Sequence, residues 1–254
     1  MNQKISILGC GWLGFSLAIY LKNKGYLVKG STTSTAKLTS LNQQGIQPFL
    51  VDISNPNDTL QEFLSSEVLI IAITSKSISD FEQLIKNIEL SEVQKVMLIS
   101  STSVYPFTNG KVTEEISTSN TPLAEIEQLF RSNTNFKSTI IRFGGLFGYD
   151  RKPGNFVKNK IVEHPEGYIN LIHRDDCIEI IEQIISKNLW NELFNACADH
   201  HPKRREFYSR ASEIIGLPQP VFNEQSKNFY KIIESQKLIS ALNYEFIHAD
   251  LMNI

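Results

Sequence analysis

Six residues near the start of the chain, Gly9-Cys10-Gly11-Trp12-Leu13-Gly14, have the types and spacing to hold a pyrophosphate. They follow a short apolar run at 5–8 and open a stretch of helical periodicity. Gly9 permits a tight turn, Gly11 brings backbone to a phosphate with no Cβ in the way, and Gly14 lets helix and strand pack closely. The free N–H groups and positive dipole end of the helix then face the phosphates. Trp12 and Leu13 belong to the same turn. Trp12 is bulky enough to shield a bound dinucleotide, although packing alone also explains it. The second apolar run, at 26–31, leads into Thr32-Thr33-Ser34. A site that prefers NAD usually carries an acidic residue near this point, bonded to the ribose hydroxyls. Here the first acidic residue of the chain is Asp52, and the charged side chains before it are Lys4, Lys22, Lys24, Lys29 and Lys37. Thr32, Thr33, Ser34 and Lys37 suit a 2′-phosphate, so NADP is the preferred cofactor and NAD the other candidate. Lys37 also fits the commoner role of a solvated surface lysine.

A serine-rich run, Ser100-Ser101-Thr102-Ser103-Val104-Tyr105, supplies hydroxyls at the end of another apolar segment. The elements that must position these groups can be read from periodicity. Strands are expected at 5–8, 26–31, 49–51, 68–73, 95–100, 138–142 and 193–196, and helices at 15–23, 80–89, 123–132 and 176–187. The run at 68–73 is apolar throughout, as in a strand covered on both faces. This alternation predicts an α/β fold, a doubly wound parallel sheet of the NAD(P)-binding Rossmann kind, with a small C-terminal substrate lobe. The dinucleotide-binding domain is expected over 1–147 and 168–200. The lobe is expected over 148–167 and 201–254, where Pro and Gly interrupt the alternation.

Composition narrows the class. The chain has 254 residues, 41% hydrophobic and 20% charged, with a formal net charge of -2. That balance is globular and gives no pull toward nucleic acid or an anionic membrane. Cys10, Cys177 and Cys197 match neither a disulfide framework nor a zinc cluster, and no metal site is expected. The opening residues lack the apolar stretch of a secretory signal, and no run approaches the roughly eighteen apolar residues of a membrane span. The expectation is a cytoplasmic protein acting on a small molecule.

The glycine turn, the serine run, Ile141-Arg142-Phe143-Gly144-Gly145-Leu146-Phe147-Gly148 and Ile172-His173-Arg174-Asp175-Asp176 together resemble the extended short-chain dehydrogenases/reductases, the NAD-dependent epimerase/dehydratase family. Phe194-Asn195 and the segment 235–246 resemble its C-terminal landmarks, so the resemblance runs the length of the chain. It implies that Asp52 touches the adenine and that Ala72, Ile73 and Thr74 flank the cofactor diphosphate and ribose. It implies that Ser101 bonds a substrate hydroxyl or carbonyl, with Ser103 a close second. It also implies a homodimer through helices beside the serine strand, although 123–132 offers only a short apolar stripe.

One departure bears on chemistry. The family's catalytic pair is Tyr-x-x-x-Lys on the helix after the serine segment. With Glu127 aligned to the family's helix glutamate, Asn120 and Ala124 stand at the two positions. An amide has no useful pKa and a methyl group no charge. The chain therefore resembles an atypical member: an NAD(P)-binding epimerase/dehydratase-like oxidoreductase for a polar, nucleotide-linked or phosphorylated substrate, or else a non-catalytic NAD(P)-binding sensor or regulatory protein. Tyr105 is the candidate stand-in for the missing tyrosine, or a pocket-wall residue. His173 has the titration range of a general base, or is a hydrogen-bonded structural histidine. Asp175 and Asp176 suit a helix N-cap better than a metal. The basic stretch His200-His201-Pro202-Lys203-Arg204-Arg205 reads as a solvated loop or an anion contact, Arg142 and Arg151 likewise, and Glu114-Glu115 reads as solvated.

Overall fold

The first strand and first helix follow directly from the glycine spacing. In the computed structural model, which describes residues 3–253, β1 (Lys4–Leu8) buries its last four residues. The chain turns at Gly9, whose φ is +97°, and α1 (Trp12–Asn23) begins at once with Gly11 as its N-cap. The helix thus starts three residues earlier than apolar periodicity alone indicates. Its inner face is Leu13, Gly14, Leu17, Ala18 and Leu21. Gly14 sits against the turn so closely that a Cβ there would lie 2.2 Å from the Gly9 carbonyl oxygen.

The same unit repeats. After β2 (Leu27–Thr32), α2 (Thr35–Gln43) leads to β3 (Gln47–Leu50), and α3 (Thr59–Phe63) leads to β4 (Val68–Ile71). Then α4 (Ile78–Glu89) precedes β5 (Lys95–Ser101), and α5 (Pro122–Ser132) precedes the strand Lys137–Phe143. The helices α2 and α3 are not visible in the sequence pattern, since α2 buries only Leu41 and α3 spans five residues. With the strand Leu193–Ala196 these strands form one seven-stranded parallel sheet. From one edge its order is Leu193–Ala196, Lys137–Phe143, β5, β4, β1, β2, β3. β1 pairs in parallel with both β2 and β4, in register Ile5 to Val28 and Ile5 to Val68. The centre of the sheet is covered on both faces, and all four residues of β4 are buried. Each such aliphatic side chain contributes about 1.5–3 kcal/mol by leaving water. The doubly wound α/β sheet read from the sequence is the observed fold.

The chain divides into two compact units. One holds Met1–Ser100, Asn120–Ile141 and Ile184–Leu193; the other holds Ser101–Ser119, Arg142–Gln183 and Phe194–Ile254. In the first, Phe81 meets Phe130 edge-on at 6.0 Å between ring centroids, and Phe49 meets Phe63 at 5.5 Å. α4 is capped by Ser77, whose hydroxyl accepts from the Asp80 N–H, and α5 by Thr121, which accepts from Ala124.

The second unit is built from short parallel pairs: 145–147 with 171–173, 161–162 with 221–222, and 111–112 with 232–233. Its core is Phe147, Ile169, Leu171, Ala198, Phe207 and Leu251. It also holds α6 (Arg174–Ser186) up to Gln183, α7 (Arg204–Ile214) and α8 (Gln236–Leu242). Two expectations change here. Arg204 and Arg205 open α7 rather than ending a loop. Asp175 and Asp176 lie inside the first turn of α6 rather than before it. Among the described residues no helix is long and apolar enough to cross a membrane.

Replacing Gly14 with Ala forces a Cβ into the Gly9 carbonyl, so the turn or the helix must shift. The expected result is a loss of about 1–3 kcal/mol, the usual cost of overpacking, read as a lower urea midpoint. An unchanged midpoint would show that α1 can move away from β1 freely.

Candidate functional site

The first unit carries a cleft of about 340 Å³ at the carboxyl ends of β1, β2 and β4. In open parallel sheets this is where ligands bind. Gly9, Gly11, Thr32, Thr33, Lys37, Asp52, Ala72, Ile73 and Thr74 all line it, joined by Cys10, Ser31 and Ser75. Trp12, Leu13, Gly14 and Ser34 do not. Leu13 and Gly14 are buried on the inner face of α1, Trp12 is half-buried in its first turn, and Ser34 is the N-cap of α2. The end of β2 holds the glycine turn in shape. Ser31 accepts the Gly9 N–H at its hydroxyl (3.0 Å) and the Cys10 N–H at its carbonyl (2.7 Å). Gly30 leaves room for the Cys10 thiol, since a Cβ there would lie 2.8 Å from Sγ. Burial pushes that thiol up to about 12, so Cys10 is a packing residue and no nucleophile. Ser31 was invisible as a site residue in the sequence because its role depends on a turn 22 positions away.

Electrostatically the cleft carries one cation and one anion. Lys37 is exposed in the first turn of α2. Asp52 is exposed, and the Ser54 hydroxyl and N–H hold its carboxyl below the usual range. Thr32 accepts the Ser34 N–H at its hydroxyl (3.1 Å), which leaves the Thr32 proton free to donate.

The serine turn lies in the second unit. Ser101 caps a 3-10 turn, Thr102–Val104, by accepting the Ser103 N–H at 3.1 Å. Its hydroxyl proton remains available, and Ser103 is exposed. Tyr105 is buried and its phenol is committed. It donates to Asn195 Oδ1 at 2.9 Å and accepts from the Arg142 guanidinium, whose Cζ lies 4.7 Å from the ring centroid. Burial raises this phenol above its ordinary value, opposed by Arg142. Arg142 is itself buried. Glu114 is drawn into the same cluster, accepting the Asn195 N–H at 2.7 Å, so it is not the solvated carboxylate that its loop position suggests.

Lys231, which the sequence did not single out, brackets the turn. Its Nζ donates to the carbonyls of Thr102 (2.8 Å) and Tyr105 (2.6 Å). Burial, with Arg204 nearby, lowers it to about 8.

The positions of the absent pair are structural. Asn120 is exposed just before the N-cap of α5, and the Ala124 N–H is the one capped by Thr121. Glu127 is buried and accepts from the Ser100 hydroxyl at 2.5 Å. Asp176 does not cap α6. It is fully buried and accepts from the Tyr244 hydroxyl (2.9 Å) and the N–H groups of Ile247 (2.6 Å) and His248 (3.1 Å). His173 is buried against His248 and Asp175, and burial pushes its imidazole down to about 4. The basic stretch is largely paired: Lys203 and Arg205 with Glu166, Arg205 also with Glu224, and His200 with Asp250.

Two outcomes follow. Tyr105→Phe strands the Arg142 and Asn195 groups that met the phenol, and should cost about 1–3 kcal/mol in denaturant melts. No loss would mean that water replaces the hydroxyl at no cost. For Lys231, the unfolded chain holds its proton up to the ordinary value of 10.5 while the folded chain releases it near 8. The unfolded state binds more protons in that window, so stability should rise with pH there. Comparing Lys231→Met with the parent from about pH 7 to about pH 10 isolates this slope, and parallel curves would refute it.

The comparisons with known proteins bear on this architecture. No family model matches the chain. The protein YeeZ of Escherichia coli K12 is 27% identical over 266 aligned positions, covering 98% of this chain and 97% of YeeZ. A structure assigned as an NAD-dependent epimerase/dehydratase from Methylobacillus flagellatus superposes with a TM-score of 0.78 at 22% identity, covering 100% of this chain and 96% of that one. A UDP-glucuronic acid 4-epimerase from Bacillus cereus, in complex with a fluorinated UDP-glucuronic acid and NAD, superposes at 0.80 with 19% identity over 99% and 96%. The chain therefore has the fold of the extended short-chain dehydrogenases/reductases, as seen in the NAD-dependent epimerases and dehydratases.

Proposed function

We propose that the chain binds a nicotinamide dinucleotide in the first-unit cleft and works as an epimerase/dehydratase-like oxidoreductase on a polar, nucleotide-linked or phosphorylated substrate. The observation that carries this reading is the glycine turn itself. Gly9, Cys10 and Gly11 line the cleft where α1 begins, and the space above Gly11 is open, with no atom within 4 Å of an added Cβ. That open backbone, at the positive dipole end of α1, suits a pyrophosphate. In this reading Asp52 meets the adenosine end, and Ala72, Ile73 and Thr74, which also line the cleft, flank the diphosphate and ribose. NADP is the preferred cofactor in this reading, because Thr32, Thr33 and Lys37 line the cleft and no carboxylate ends β2. The cofactor would supply a hydride donor or acceptor. Ser101, with an unspent hydroxyl proton, is the residue for orienting a substrate oxygen.

One set of observations favours a second reading, a non-catalytic NAD(P) sensor. Asn120 and Ala124 cannot move a proton, and the Tyr105 hydrogen is already given to Asn195. A bound water would have to serve as the acid.

Thermal shift titration with NADPH, NADP, NADH and NAD tests binding first. A ligand at a hundredfold excess over its Kd stabilises by about 2.7 kcal/mol. NADP(H) should raise Tm by several degrees and NAD(H) by less. Gly11 has φ −81° and ψ −148°, outside the ordinary α and β regions, so Gly11→Ala should lower the unliganded Tm and also lose the ligand shift measured from that lower baseline. Lys37→Ala should lose the NADP advantage alone. If no dinucleotide stabilises the parent, the reading fails. Turnover of NADPH with keto-sugars and aldehydes as hydride acceptors, lost in Ser101→Ala, would then separate enzyme from sensor.

A further inference from the structure

Two imidazoles and a carboxylate of the second unit converge with no short hydrogen bond between their side chains. His173 Nδ1 lies 3.5 Å from Asp175 Oδ2, and His248 Nε2 lies 3.6 Å from the same oxygen. The three donor atoms all lie within 4.8 Å of one another. Those separations are too long for good N–H···O hydrogen bonds, which cluster near 2.9 Å. The 3.5 and 3.6 Å separations match two edges of a coordination polyhedron, since donors about 2.0–2.2 Å from one ion are roughly 3.3–3.6 Å apart when tetrahedral, and the third edge is no longer than 4.8 Å. We propose that His173, Asp175 and His248 form a binding site for a divalent transition metal ion of the Zn²⁺ type.

The surroundings hold each donor in place. The Nε2 edge of His173 abuts Gly148, where a Cβ would lie 2.3 Å from Nε2, so Nδ1 is the nitrogen left to face Asp175. Gly148 and Tyr149 both take left-handed backbone, φ +123° and +53°. For a tyrosine this costs of order 1–3 kcal/mol, a strain that clusters at ligand sites. It places the Tyr149 hydroxyl as a donor to Asp175, 2.9 Å from Oδ1 and 3.1 Å from Oδ2. The Arg174 guanidinium stacks on that ring at 4.0 Å. A hydrogen bond to the ligating carboxylate is the usual outer support of a metal site. His248 comes from 75 positions downstream, and its N–H is pinned by the buried carboxylate of Asp176, the neighbour of Asp175. The ion replaces only a long contact, the Asp175 N–H to His173 Nδ1 at 3.2 Å.

Two imidazoles and one carboxylate form a donor set for borderline divalent ions and leave positions open. His173 and His248 line a cavity of about 280 Å³ whose other walls include Phe147, Pro153, Ile214 and Ile215. A small ligand with one oxygen or nitrogen donor could complete the coordination there.

The test uses the full chain, stripped with a chelator and titrated with Zn²⁺ by calorimetry and with Co²⁺ by visible absorption. One ion per chain is expected, with tetrahedral-type Co²⁺ bands. His248→Gln and Asp175→Asn should each weaken Zn²⁺ binding at least tenfold. Tyr149→Phe should weaken it less, and His200→Gln, at the separate surface pair with Asp250, should leave it unchanged. Unliganded Tm values confirm that each variant folds, and His248, half-exposed, is the variant least exposed to folding loss. The proposal is overturned by absent binding, by equal affinity in His248→Gln and the parent, or by binding that follows His200. Because the readout is metal affinity, it fails or stands independently of dinucleotide binding.

Discussion

The contact between Gly14 and the carbonyl of Gly9 is the constraint from which the first unit follows. It seats α1 directly on the end of β1, closer than any side chain would allow. That seating fixes where the helix N-terminus and its positive dipole end point. The end of β2 completes the arrangement through Ser31 and Gly30, one holding the turn by two hydrogen bonds and the other clearing space for Cys10. The cleft is thus a product of close backbone packing, with few side chains contributing chemistry of their own.

The second unit depends on buried polar groups instead. Asp176 would be costly as an unpaired buried carboxylate. The Tyr244 hydroxyl and two backbone N–H groups oppose the upward push that burial gives its pKa. In return the segment after α8 is held against α6, which brings His248 beside His173. Arg142, Tyr105, Asn195 and Glu114 form a second such cluster, and Lys231 ties the carbonyls of the serine turn. Networks of this kind specify one arrangement because each member leaves another unsatisfied if it moves.

The fold and the chemistry separate at α5. The helix keeps its cap, its apolar stripe and the Glu127 contact to Ser100, yet carries no group able to shuttle a proton at positions 120 and 124. Architecture of this type hosts many functions, and activity is argued from side chains rather than from the sheet. Here the glycine turn of the first unit is open, Ser101 of the second accepts the Ser103 N–H, and the phenol of Tyr105 is committed to Asn195.

The sequence alone determined the sheet and most of the cleft. Fully apolar runs can only be covered strands, and glycines at positions 9, 11 and 14 have one common use at a strand-to-helix turn. Asp52, Ala72 and Thr74 were legible only through resemblance, since nothing local marks them. What sequence could not show was decided by long-range packing. Helices α2 and α7 bury too few apolar residues to leave a periodic signal. Tyr105 as a clamped residue, Glu114 and Lys231 as half-buried partners, and Asp176 as a tether all require groups between 37 and 129 positions apart to meet. A hydrogen bond between such groups depends on three-dimensional proximity, and one-dimensional spacing carries no trace of it. The meeting of His173 with His248 is of that kind: the two histidines look unrelated along the chain, and only the burial of Asp176 sets their rings 3.7 Å apart.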